Sequence, residues 1–132
     1  MNFLLTLLYR KRLGLSIRLE PEQRLSIEIA DWLREMSLTG KLKAVWTHIP
    51  NEGKRSRIVA LVLAAMGMIS GVSDYVFSWA DGSGYIELKA GANKETDNQI
   101  LFSCWCEALG VHHATCRTLE EVQTTLKEWG VI

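Results

Sequence analysis

Apolar residues at positions 25, 29, 32, 33 and 36 follow the 3.6-residue period of a helix with one inward face. Pro21 suits a first helical turn and Gly40 a helix end, so the spacing predicts a helix over residues 21–38. Residues 43–49 read as a strand. Residues 54–66 read as a helix whose second half, from Ile58 to Met66, is apolar all round and is therefore expected to lie deep in the core. Two strands follow, over 75–79 and 85–90, joined by the turn Asp81-Gly82-Ser83-Gly84. Residues 94–109 form a helix, with Leu101, Trp105 and Ala108 expected inward and Cys104 in the core. A short strand covers 112–116. Thr118-x-x-Glu121 has the form of a capping box and opens a last helix with Leu119, Val122, Leu126 and Trp129 inward, stopped by Gly130. This order of elements predicts an α/β fold, a small mixed sheet flanked by helices.

The first nine residues are mostly apolar and precede Arg10-Lys11-Arg12. They are too few to span a bilayer, and a secretory signal would put its basic residues first. An apolar segment of this kind is expected to pack on the domain or on a second subunit, as an extension (1–20) to the domain proper (21–132). The pattern leaves strand and helix both open there. At 132 residues, 48% apolar and 23% charged, the chain has the composition of one folded domain and not of a disordered segment.

Charge changes the picture more than composition does. Formal net charge is zero, yet residues 1–57 carry 11 Lys/Arg against 6 Asp/Glu, and residues 58–132 carry 4 against 9. A basic half beside an acidic half suits a phosphate-binding surface next to a carboxylate metal site. Cys104, Cys106 and Cys116 are odd in number and lack zinc-ligand spacing. Cys104 and Cys106 point about 200° apart on a helix. All three are expected to be free thiols in a reducing cytoplasm.

The candidate chemistry lies in Asp74 and in Glu87-x-Lys89 on the following strand. Side chains alternate along a strand, so Glu87 and Lys89 share one face. With a carboxylate from the paired strand they can hold a divalent ion and a water beside a phosphate. Two carboxylates suit Mg²⁺, which prefers oxygen ligands, and a lysine can orient the water or stabilise the charged phosphate. Glu22 lies on the same angular face as Leu25, Ile29 and Trp32, whereas Glu28 lies about 120° away. Asn51, Lys54, Arg55, Ser56 and Arg57 form a polar run into a helix N-terminus, a natural phosphate seat. His48 is expected near the site. His112 and His113 are adjacent on a strand and cannot both ligate one ion. The five tryptophans are read as core, Trp46 and Trp79 with least support from the pattern.

Several short motifs recur in an order that resembles one family. They are His48-Ile49-Pro50-Asn51-Glu52-Gly53-Lys54-Arg55-Ser56, then Met66-Gly67-Met68-Ile69-Ser70-Gly71-Val72-Ser73-Asp74, then Ile86-Glu87-Leu88-Lys89-Ala90, then Gln99. From about Glu22 to its end the chain looks like a stand-alone VRR-NUC domain, a branch of the PD-(D/E)xK nucleases with a restriction-endonuclease-like core. The resemblance implies a nuclease that uses Mg²⁺ or Mn²⁺, held by Asp74, Glu87, the Leu88 carbonyl and Glu22. It implies that Lys89 is catalytic and that Gln99 directs the lysine. It further implies a bacterial or phage-encoded homodimer acting in the cytoplasm on branched DNA such as four-way (Holliday) junctions. Ser73 stands where the family pattern has a proline, a change read as structural. Competing readings are a DNA-binding module without catalysis and a nuclease subunit of a larger restriction or helicase system.

Overall fold

The computed structural model describes residues 2–14, 16–50 and 55–132. The elements run α1 (Asn2–Leu8), α2 (Pro21–Leu38), β1 (Val45–His48), α3 (Arg57–Ala65), β2 (Tyr75–Trp79), β3 (Gly82–Leu88), α4 (Asp97–Ala108), β4 (His112–Cys116) and α5 (Leu119–Glu128). The sheet order is β1-β2-β3-β4. The first three strands are antiparallel, and β4 lies parallel to β3 after a crossover through α4. This is the mixed sheet the element order predicts. Among the described residues no helix is long and apolar enough to cross a membrane.

Alternation along the strands separates two faces. One carries Tyr75 and Phe77 of β2, Ile86 and Leu88 of β3 and Cys116 of β4. These pack with Ile29 and Leu33 of α2, Val122 and Leu126 of α5, and Val131. The other face carries Tyr85, Glu87 and His113. There α4 packs, and Phe102 meets Tyr85 and His113 edge-on at 5.0 and 6.2 Å between ring centres. The predicted inner face of α4 is thus displaced by one residue. Phe102 and Cys106 are buried, while Leu101, Trp105 and Ala108 face out and Cys104 is exposed. The helix bears two apolar stripes, and periodicity alone does not rank them.

Other expectations change as well. The hairpin turns at Ala80-Asp81, because Trp79 pairs with Gly82, which leaves Gly82, Ser83 and Gly84 in β3. Gly84 sits in a strand because Trp129 covers it. A Cβ at Gly84 would lie 2.5 Å from the Trp129 ring, and Trp129 stacks in turn on Trp79 and His112. Trp79 therefore belongs to the packing, and so does Trp46, whose Nε1 donates to Ser37 Oγ. Glu121 caps differently from a capping box: its backbone N–H donates to Thr118 Oγ1, while its carboxylate accepts from the Arg117 N–H. The largest departure is α3. Ser56 caps it by accepting from the Val59 N–H at 3.2 Å, but none of its residues is buried.

The N-terminal segment resolves as a helix. Just beyond it, the Arg10 guanidinium donates to both carboxylate oxygens of Asp31 on α2, at 2.9 and 3.0 Å. Arg34 shares the same carboxylate.

Substituting Gly84→Ala should lower the urea midpoint by the equivalent of about 1–3 kcal/mol, the usual cost of overpacking, because the rigid indole has to leave its stack. Equilibrium unfolding followed by tryptophan fluorescence tests this. An unchanged midpoint would show that the Trp129 contact is slack.

Candidate active site

Register places the first carboxylate. Tyr75 pairs with Ile86, so Asp74, one residue before β2, lies level with the end of β3. Its Oδ2 accepts from the Leu88 N–H at 2.7 Å, and its backbone carbonyl accepts from the Ile49 N–H at 2.7 Å. Glu87 and Lys89 point to the α4 face and are almost wholly enclosed, at 3% and 7% exposure. The Lys89 Nζ lies 4.0 Å from Glu87 Oε1. The same oxygen accepts from Gln99 Nε2 at 3.0 Å.

Gln99 is held by a true capping box at the start of α4. Its N–H donates to Thr96 Oγ1, and its own Oε1 accepts from the Thr96 N–H at 2.8 Å. The fixed amide reaches Glu87, whereas the family resemblance implies that it directs Lys89. Glu22, in the first turn of α2, is half-buried. Its Oε1 accepts from the Ala90 N–H at 3.3 Å and from Asn93 Nδ2 at 3.1 Å. Glu22, Asp74, Leu88 and His48 together line a cavity of about 290 Å³.

Several supports carry no signal in the sequence. Asn93 steadies Glu22, and Arg117 grips the same loop by donating to the Gly91 and Asn93 carbonyls at 2.9 and 2.8 Å. Loop contacts of this kind leave no periodic pattern. Ser73 is buried, with its Oγ 2.9 Å from His113 Nε2. The pair straddles β3 and fixes the entry to β2, where the family pattern has a proline. Burial keeps the His113 pKa below its ordinary value, so the ring is neutral near pH 7. His112 faces the opposite side, against Trp79. Gly71, at φ 91°, lies against the α4 backbone. A Cβ there would fall 2.4 Å from the Asn98 carbonyl, so only glycine lets the loop before Asp74 dock on the helix that carries Gln99.

Of the phosphate-seat residues, Arg55, Ser56 and Arg57 do not line this cavity. Asn51 and Lys54 lie outside the described residues. Arg55 and Arg57 are exposed, and the Ser56 hydroxyl is engaged as the cap of α3.

Electrostatically the centre has a surplus of negative charge. The Glu87 pKa is pushed up to about 9, first by burial and then by the neighbouring Asp74 charge; Lys89 pulls the other way. Glu87 Oε2 is buried with no hydrogen-bond partner among the described residues. A proton satisfies such a group, and so does a cation. The donors are hard carboxylate oxygens, which fit Mg²⁺ or Mn²⁺. Among the described residues no three His, Cys, Asp or Glu side chains converge into a ready-made metal cluster. Mg²⁺ does not need one, since it commonly takes one or two carboxylates and keeps several waters.

No protein-family model matches the chain, and no curated protein does. A solved structure described as a VRR_NUC domain protein matches with a TM-score of 0.63 over 86% of this chain and 90% of that one, at 16% identity. At that identity the likeness establishes a shared restriction-endonuclease-like fold.

Because Glu87 binds its proton more tightly in the folded state, the folded protein loses stability as pH rises from about 4.5 towards about 9. Glu87→Gln removes that dependence. Without divalent ions, the variant should gain on the parent steadily from pH 5 to pH 9, reaching on the order of 1 kcal/mol or more. Denaturant melts of both proteins in chelator measure the difference. A gap that stays flat with pH would refute the crowding of carboxylates described above.

Proposed function

We propose that this chain is a metal-dependent nuclease of the VRR-NUC kind that hydrolyses phosphodiester bonds in DNA. The observation that carries the reading is the meeting of Asp74, Glu87 and Lys89 at the joined ends of β2 and β3. The orphaned Glu87 Oε2 and the shared fold lend it support. Asp74 and Glu87 would hold Mg²⁺ or Mn²⁺, with Glu22 and the Leu88 carbonyl completing the set. When bound, the ion supplies charge neutralisation at the phosphate and lowers the pKa of a water. Lys89, kept rigid by burial, orients that water or stabilises charge that develops on the phosphoryl oxygens. Gln99 keeps Glu87 turned towards Asp74. Nothing at Ser73 favours an inactive module, since its hydroxyl is paired and Asp74 keeps both of its contacts.

Substrate contact falls to the basic half of the chain. Arg55 and Arg57, with Lys54 and Asn51 beside them in sequence, lead into the N-terminus of α3, where free N–H groups and partial positive charge suit a phosphate. So small a domain reads backbone and shape more than base edges. The proposed substrate is therefore branched DNA such as a four-way junction, cut by a homodimer whose two centres serve two strands. Bacterial or phage DNA in the cytoplasm is its proposed setting.

Asp74→Asn and Lys89→Ala should each reduce cleavage by at least about 10²-fold while leaving the fold and DNA binding nearly intact. The assay is a panel of linear, flap, splayed-arm and four-way junction DNAs with Mg²⁺ or Mn²⁺. Cleavage at the parent rate by either variant would put the centre elsewhere.

The double substitution Lys54→Ala and Arg55→Ala should weaken binding to every DNA in the panel. It should also flatten the dependence of log K on log salt by about 0.9 for each phosphate that is no longer neutralised. An unchanged slope would remove this segment from the DNA surface.

A further inference from the structure

Between α3 and β2 the chain runs through residues 66–74 with no strand ladder or helix to hold it. Its course is fixed at separate points instead. Asn98 Nδ2 of α4 donates to Ser70 Oγ at 3.0 Å, and Gly71 lies against the Asn98 backbone. At the far end the Asp74 carbonyl accepts from the Ile49 N–H. Each residue keeps two soft backbone dihedrals, so these contacts alone leave the turn of the chain between Gly71 and Asp74 open. Ser73 closes it. The residue is 1% exposed, and its Oγ lies 2.9 Å from His113 Nε2. A buried hydroxyl is costly to strip of its partner, which makes this bond a firm stop. His113 reaches Ser73 from β4, on the far side of β3. Its own position is set by pairing opposite Tyr85 and by the edge-on ring of Phe102, 6.2 Å away. Phe102 belongs to α4, the helix whose Gln99 amide holds Glu87. One imidazole therefore braces the supports of both carboxylates.

We propose that His113 is a positioning residue for the ion-binding carboxylates: by clasping Ser73 from β4 it aims Asp74 at the Leu88 N–H and at Glu87, and so sets the affinity of the centre for a divalent ion. The ring touches neither the ion nor the substrate and acts only through Ser73 and α4. Without the clasp, residues 72–74 are free to rotate, and the Asp74 carboxylate can exchange the Leu88 N–H for water. The two carboxylates then no longer meet at a fixed separation. Mg²⁺ and Mn²⁺ bind well only where their oxygen ligands are already placed, and partners behind the ligands commonly account for 10–100-fold in metal affinity. The ion-affinity part of this inference rests on the nuclease reading above; the aiming of Asp74 does not.

Two measurements without DNA decide it. In chelator, the Leu88 amide of the parent should resonate downfield and exchange slowly, as a short bond to a carboxylate requires. In Ser73→Ala and in His113→Leu the signal should move upfield and exchange faster. By calorimetry, each variant should bind Mn²⁺ about 10-fold more weakly. The double substitution should be no weaker than either single one, because both remove the same bond. His113→Gln, which keeps a hydrogen-bonding group at similar reach, should recover most of the loss. Ser73→Ala removes a single oxygen and carries both readouts should His113→Leu fail to fold. A merely structural clasp would lower the urea midpoint and leave the Leu88 signal of the folded chain in place, and that result would overturn the proposal. So would losses of Mn²⁺ affinity that add in the double variant. A parent that binds no Mn²⁺ would sink the nuclease reading and the ion-affinity part together, while the Leu88 signal in chelator still decides whether His113 aims Asp74.

Discussion

The 2.7 Å hydrogen bond from the Leu88 N–H to the Asp74 carboxylate is where the sheet and the candidate centre become one object. It ends the β2–β3 ladder with a side chain in place of a backbone carbonyl. That substitution brings a carboxylate level with Glu87 and fixes which face Glu87 and Lys89 occupy. A shift of one residue in the register would send both to the opposite face, among Ile86, Leu88 and the α2 and α5 side chains. The apolar alternation of the hairpin therefore specifies the polar constellation as strictly as it specifies the core.

Burial of that constellation has an energetic character of its own. An enclosed carboxylate with a free oxygen is unfavourable, and Glu87 is only partly compensated by Gln99 and Lys89. The surrounding packing tolerates this because it is rigid elsewhere. Gly71 is docked on α4, Ser73 is clasped to His113, and the Trp79–Trp129–His112 stack seals the opposite face over Gly84. Unfavourable burial of this sort persists where the surrounding scaffold over-determines it.

Much of the fold was legible in sequence because its signals were local. The α2 period, Pro21, Gly40, Gly130 and the alternation of β2 each depend on near neighbours. The pairing of Glu87 with Lys89 and the inward turn of Glu22 followed from angular position alone. What failed was tertiary in origin. The seams of α3 and of the outer face of α4 register as hydrophobic, and hydrophobicity reports that a surface wants cover without saying what supplies it. The hairpin turn moved to Ala80-Asp81 because Trp129 required a bare backbone at Gly84, a demand made from 45 residues away in sequence. The aim of Gln99 is of another kind: the local Thr96 box, three residues away, turns its amide to Glu87.

The reach of Glu22 to the Ala90 N–H spans 68 residues of chain. Hairpin contacts such as Asp74 with Leu88 span 14 and cost less loop entropy, whereas the Glu22 contact needs α2 docked on the sheet. The centre is therefore a report on cooperativity: a partly opened chain can keep its two hairpin carboxylates close while lacking the third. Fluctuations that fray α2 disassemble the cavity before they melt the sheet, so its integrity follows the least stable of the elements that build it.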